Sequence, residues 1–150
     1  MPNWCSTALT ITADSAKDAE TIENLINFWQ KPCGVENGFG DSWLGNVLVN
    51  SGLQKKEAFE SEDVIPCRGM IHCVSRAGEQ VYVDMDTAWK PMLEMWVLIR
   101  NKWFPQTEEL LYEANEPGNE IHLTNNPDLA GKWVVQAEVL SVTICFQRMT

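Results

Sequence analysis

The chain has 150 residues, 45% of them hydrophobic, and sets 11 basic side chains against 21 acidic ones for a net charge of −10. That is enough apolar material for one core burying about 70% of the unfolded surface without a disulfide or metal. The charge argues against direct binding of a phosphate backbone unless cations gather on one face, and they are scattered, the closest being Lys55-Lys56 and Arg100 with Lys102.

Five cysteines, Cys5, Cys33, Cys67, Cys73 and Cys145, form no Cys-x-x-Cys pair. The first residues read as a strand rather than a basic, apolar leader, so reduced thiols and a cytoplasmic setting are expected. No apolar stretch approaches the ~18 residues of a membrane span, so no membrane association is expected.

Pro2 removes a ladder donor, and behind it Cys5, Thr7, Leu9 and Ile11 alternate with Trp4, Ser6, Ala8, Thr10 and Thr12, which predicts a strand. Asp14 and Ser15 are candidate caps for a helix over about 15–30, whose buried stripe is Ile22, Leu25, Ile26 and Trp29. Lys31-Pro32 and Gly34 end it. Asp41-Ser42 then open a short helix with Trp43, Leu44, Val47 and Leu48, closed by Gly52, and residues 54–63 read as a polar surface loop or helical turn. Residues 70–76 and 80–86 alternate around Ala77-Gly78-Glu79, a hairpin pattern. A second main helix is predicted to start at Pro91, to bury Met92, Met95, Trp96, Ile99 and Trp103, and to stop before Pro105. Strands are predicted over about 109–114 and 120–124 around the Glu116-Pro117-Gly118-Asn119 turn, then over 132–139 and 141–147, where one long bent strand would look the same.

The order strand, helix, strand, strand, helix, strand is the split β-α-β unit of a ferredoxin-like α+β sandwich. The expectation is a single domain over 1–150, with an insertion at about 32–68. Two main helices would cover one face of an antiparallel sheet, and the C-terminal strands would extend it.

Asn3-Trp4-Cys5 opening the first strand, Thr87-Ala88-Trp89-Lys90-Pro91 at a strand-to-helix junction, and the later Trp103-Phe104-Pro105, Tyr112-Glu113 and Glu116-Pro117-Gly118 carry a resemblance. The chain resembles the YubB-type ferredoxin-like family of phage and plasmid proteins over its first strand and roughly residues 80–120, while the 32–68 segment departs from the pattern. The resemblance implies mobile-element ancestry and brings no activity with it.

Each chemical constellation has a plainer reading beside it. Alternation puts Tyr82, Asp84 and Asp86 on one strand face, where two carboxylates can hold Mg²⁺ for phosphoryl transfer; no glycine-rich phosphate loop accompanies them, and a solvated face explains them as well. Cys67, His72 and Cys73 are the one Cys/His concentration, but a zinc site needs about four ligands, and strict alternation sets His72 and Cys73 on opposite sides. His72 and His122 are the two available bases, with no nucleophile signature beside them. No metal or cofactor is therefore expected, and the chain does not read as an enzyme.

Most of the seven tryptophans should be core, with Trp43 the exception as an exposed anchor beside flexible glycines. Acidic residues run together at Glu57, Glu60, Glu62 and Asp63, and again at Glu108, Glu109, Glu113, Glu116 and Glu120. Charge runs are usually solvated surface, yet this field can steer association with a basic groove. The expected role is an acidic protein-binding module that inhibits a host defence or nucleic-acid-handling protein, such as a CRISPR effector. Its contact set would be Trp43, Glu57, Glu60, Glu62 and Asp63. The alternatives are a metal-dependent phosphoryl-transfer or nuclease-like enzyme using Asp84 and Asp86, and a phage assembly protein that pairs with itself as a homodimer.

Overall fold

A computed structural model describes residues 3–60, 64–119, 121–126, 135–139 and 145–149, with backbone alone at 60, 119, 121 and the last two segments. Strand β1, Trp4–Thr12, buries every second side chain as its alternation requires, and Leu9 and Ile11 are fully enclosed. Helix α1, Ala16–Trp29, starts where the Ser15 Oγ accepts the Asp18 backbone N–H at 3.1 Å, satisfying one of the first-turn donors. It turns Ala19, Ile22, Ile26 and Trp29 into the core.

The segment between α1 and β2 adds a 3₁₀ turn at Gly40–Ser42, a short helix α2 at Leu44–Asn50, and a second 3₁₀ turn at Lys56–Glu60. Asn46 organises it from inside: its Oδ1 accepts the Cys33 N–H and its Nδ2 donates to the Asp41 carbonyl. Asn50 ties α2 to the end of α1 by donating to the carbonyls of Trp29 and Lys31.

Strands β2, Gly69–Ala77, and β3, Gln80–Ala88, are joined by the two-residue loop Gly78-Glu79. Gly78 has φ +58°, the left-handed first position that a glycine-led tight hairpin turn demands. Helix α3, Leu93–Trp103, begins two residues later than Pro91 predicts. Between β3 and α3 the chain does not turn directly into a helix, because Trp89 (φ 71°) and Met92 (φ 56°) are both left-handed. Such positions cost roughly 1–3 kcal/mol each in non-glycine residues, and here local bonds offset the cost. Trp89 N–H donates to the Asn3 carbonyl, Lys90 N–H to the Ala88 carbonyl, and the Thr87 hydroxyl to the Lys90 carbonyl. The Asn3-Trp4-Cys5 and Thr87–Pro91 runs thus meet in space.

Strands β4, Leu111–Glu116, β5, Ile121–Thr124, β6, Val135–Val139, and β7, Cys145–Met149, follow. The C-terminal strands are separate, and β6 and β7 pair antiparallel rather than forming one bent strand. The described strands make one sheet in the order β2-β3-β1-β4-β5-β6-β7, antiparallel from β2 to β5 and parallel between β5 and β6. The fold is α+β. Its two main crossovers, β1-α1-β2 and β3-α3-β4, run in opposite directions and step to opposite sides of the β1/β3 pair. Right-handed connections of that kind place both helices on the same face. One core results there, from Leu9, Ile11, Val81, Val83 and Met85 of the sheet to Ile26, Trp29, Leu48, Met95, Trp96 and Ile99 of the helices. Trp103, expected in that stripe, is 43% exposed; it leans on Trp29 with ring centroids 5.3 Å apart and donates its Nε1–H to the Ser51 carbonyl.

Gly45 provides a test of the insertion. A Cβ there would lie 2.3 Å from the Trp43 indole. In an open helix Gly→Ala stabilises by about 0.5–1 kcal/mol, whereas forced overpacking costs about 1–3 kcal/mol. Gly45→Ala should therefore lower stability by about 1–2 kcal/mol in denaturant melts, the sign opposite to helix propensity.

Candidate functional site

The predicted contact set is only partly brought together. Trp43 is not exposed but buried, 6% accessible, because Gly45 leaves room for the indole to fold down over α2. There it packs against Phe59 at 4.9 Å between centroids and becomes the floor of a cleft of about 360 Å³ that also involves Phe39, Val64, Arg68 and Met92. Glu57 is exposed in the second 3₁₀ turn and, with Glu36 and Lys56, edges a neighbouring recess. Glu60 lies in the same turn, and Glu62 and Asp63 fall outside the described residues. Lys56 lines that recess with Glu36 and Glu57, and Arg68 lines the cleft.

Among the described residues the exposed tryptophans are Trp4, Trp89 and Trp103, at 37%, 52% and 43%. Residue type alone cannot separate these from core tryptophans. The left-handed turn turns Trp89 outward, and the position of Trp4 on the uncovered side of β1 follows from its alternation. Trp4 meets the Phe39 ring edge-on at 6.0 Å, which joins the start of β1 to the cleft.

Register defines the uncovered face of the sheet. Ala8 on the central strand pairs with Asp84 of β3 on one side and Glu113 of β4 on the other. The next rung sets Ser6 between Asp86 and Asn115, and the rung on the other side sets Thr10 between Tyr82 and Leu111. Trp4, Ser6, Ala8 and Asp84 are exposed, while Asp86 and Glu113 are half-buried. Among the described positions of β1 to β5 this face has no Lys or Arg; Arg76 points to the helical side and reaches Glu23 of α1 at 3.4 Å. Glu116, from the same acidic run as Glu113, faces the other way and is buried.

The expected juxtaposition of Asp84 and Asp86 on one face holds, but Asp86 is engaged: His72 Nε2 lies 2.6 Å from its Oδ2. His72 reaches it because β2 bulges between Ile71 and Cys73, inserting His72 as an extra residue. The bulge also breaks the alternation that set His72 and Cys73 on opposite sides, and both are exposed. Among the described residues no three His, Cys, Asp or Glu side chains gather to hold a metal ion, and Cys67 lies inside, away from His72 and Cys73. A further recess of about 350 Å³ lies between the start of α1 and the end of α3, with Asp14, Asp18, Trp103 and Phe104 in its wall.

No family model, curated protein or solved structure matches the chain. Among the described residues no helix is long and apolar enough to cross a membrane.

Burial pushes the Cys67 thiol up from an ordinary 9.0 to about 12, with Cys33 adding to the effect. Its folded value lies above its unfolded one, so the contribution to stability is complete below pH 9 and is lost as pH climbs toward about 12. Site-resolved alkylation near neutral pH should modify exposed Cys73 readily and Cys67 only on unfolding, and stability should fall above about pH 9, less so in Cys67→Ala.

Proposed function

We propose that this chain is a non-enzymatic, acidic protein-binding module of mobile-element descent, built on a ferredoxin-like scaffold of the YubB type. It acts by occupying a basic surface of a host defence or nucleic-acid-handling protein, in the manner of an anti-CRISPR inhibitor. The strand order β2-β3-β1-β4 with both main helices on one face supports the scaffold assignment. One observation carries the functional reading: the sheet face opposite the two main helices, on which no helix lies among the described residues, presents Asp84, Asp86 and Glu113 without a described Lys or Arg in β1 to β5, on a chain of net charge −10.

Carboxylates so placed repel phosphates and attract guanidinium and ammonium groups, which favours a protein that binds nucleic acid over the nucleic acid itself. The insertion, with its apolar cleft and Glu57, contributes a neighbouring contact region through the Trp4–Phe39 junction.

A tagged chain should retain its partner from host lysate at about 0.1 M salt and lose it near 1 M, where the screening length falls to about 3 Å. Asp84→Lys with Glu113→Lys should abolish retention at the lower salt. Capture indifferent to both salt and charge reversal would contradict the electrostatic mechanism.

The metal-dependent alternative draws on Asp84 and Asp86. Since Asp86 already meets His72 and no third ligand is described, the melting temperature is expected to be the same with and without millimolar Mg²⁺. A rise abolished by Asp84→Asn would favour the enzyme.

A further inference from the structure

We infer that the cleft over Trp43 binds a small monocarboxylate carrying an aromatic ring, with the ring inside against Trp43, Phe59 and Phe39 and the carboxylate at the rim on Arg68. The inference concerns a different surface from the acidic sheet face and does not rest on the protein-binding reading. The cleft holds about 360 Å³ behind a mostly apolar lining. That volume and lining suit a small-molecule site, which is typically an apolar pocket with few, well-placed polar groups.

Its walls are aromatic and held in place from behind. The Trp43 indole lies over Gly45 and meets the Phe59 ring at 4.9 Å between centroids, with 53° between the two planes. A ring that stacks on one of this tilted pair meets the other obliquely, within the geometries that aromatic rings favour over a flat sandwich. Phe39 stands at the rim, where the Asn37 Oδ1 accepts its N–H at 2.6 Å and Trp4 braces its ring edge-on at 6.0 Å. Met92 completes the wall in a left-handed conformation, φ 56°. Non-glycine residues held in that region concentrate at ligand sites, where the surrounding structure sustains their strain.

Charge selects the polar end of the ligand. Among the described residues lining the cleft, Arg68 is the one charged side chain. Cys67 beside it stays a neutral thiol, because burial holds it protonated up to about pH 12. Arg68 is exposed, and its carbonyl accepts the Ala88 N–H at 2.9 Å, which fixes the base of the side chain. The other arginines with described side chains are committed: Arg76 reaches Glu23, and Arg100 donates to Thr107 and to the Glu108 carbonyl. Arg68 takes part in neither of the described ion pairs. A guanidinium so placed can meet a carboxylate with two parallel N–H···O bonds.

Other small ligands fit less well. Arg68 would repel a cationic ring, and an uncharged ring would fill the same walls while leaving the guanidinium unused. A dianion such as a phosphate ester meets more repulsion than a monoanion from a chain of net charge −10.

The test uses the full chain and three probes of one shape: 2-naphthylacetate, the uncharged 2-naphthylacetamide, and 2-naphthylethylammonium. Isothermal titration calorimetry should show the acid binding saturably with a Kd on the order of 0.1 mM, reasonable for so few atoms, and the other two at least tenfold more weakly. In proton–nitrogen spectra the acid should shift the Trp43 indole N–H, assigned by its loss in Trp43→Phe. Arg68→Gln, a change at an exposed position, should weaken the acid at least tenfold while leaving the amide's affinity and the melting temperature unchanged; Arg68→Lys should keep part of the acid's advantage. No saturable binding of the acid at millimolar concentration, equal affinity for the three probes, or undiminished binding of the acid to Arg68→Gln would each overturn the proposal. A spectral shift confined to the other tryptophans would place the ligand elsewhere and overturn it too.

Discussion

Two right-handed crossovers running in opposite senses decide the character of this molecule. They oblige α1 and α3 to share one side of the sheet, so the apolar halves of β1, β3 and β4 are sealed beneath helices while the other halves meet solvent. Everything polar on the sheet follows from that asymmetry. Asp84 stays exposed and Asp86 and Glu113 half-buried, because the topology never asks them to enter the core. Their negative potential is held on a rigid surface instead of on a loop.

The insertion solves a different problem. It closes the side of the helical layer near β2, and its apolar residues, Trp43, Leu44, Val47 and Leu48, merge with the main core. The Trp43 backbone even bridges to Met70 at the edge of β2. What remains outside is a cleft floored by aromatic rings, with Arg68 in its lining and Glu36, Lys56 and Glu57 around the neighbouring recess. Charge and apolar surface are thereby divided between two adjoining regions, with Trp4 and Phe39 at the seam.

Much of this is visible before folding is considered. The alternation of β1, the capped stripe of α1 and the glycine turn at Gly78 are local signals, and each leads to the observed element. So does the common face of Asp84 and Asp86, since one strand's geometry determines it. The failures are non-local. Trp43 looks exposed among glycines until Gly45 is seen to be the space its ring occupies. Pro91 looks like a helix start until bonds from residues near Asn3 hold Trp89 in a left-handed turn. Strict alternation separates His72 from Cys73, and the bulge that overrides it depends on how β2 fits β3. Asp84 and Glu113 share a surface although they come from strands far apart in the chain, a juxtaposition that only the pairing of β3 and β4 with β1 creates.

The bulge at His72 has an importance beyond the imidazole it delivers. Strand β2 is the outermost ribbon on its side, and a regular outermost ribbon offers its unused amides to any neighbouring chain. Local overtwisting around His72, with the Trp43 bridge beside it, leaves no long straight run along which copies could zip together. The same irregularity that breaks the alternation also interrupts the regular ladder that an outermost strand would present to a neighbouring chain.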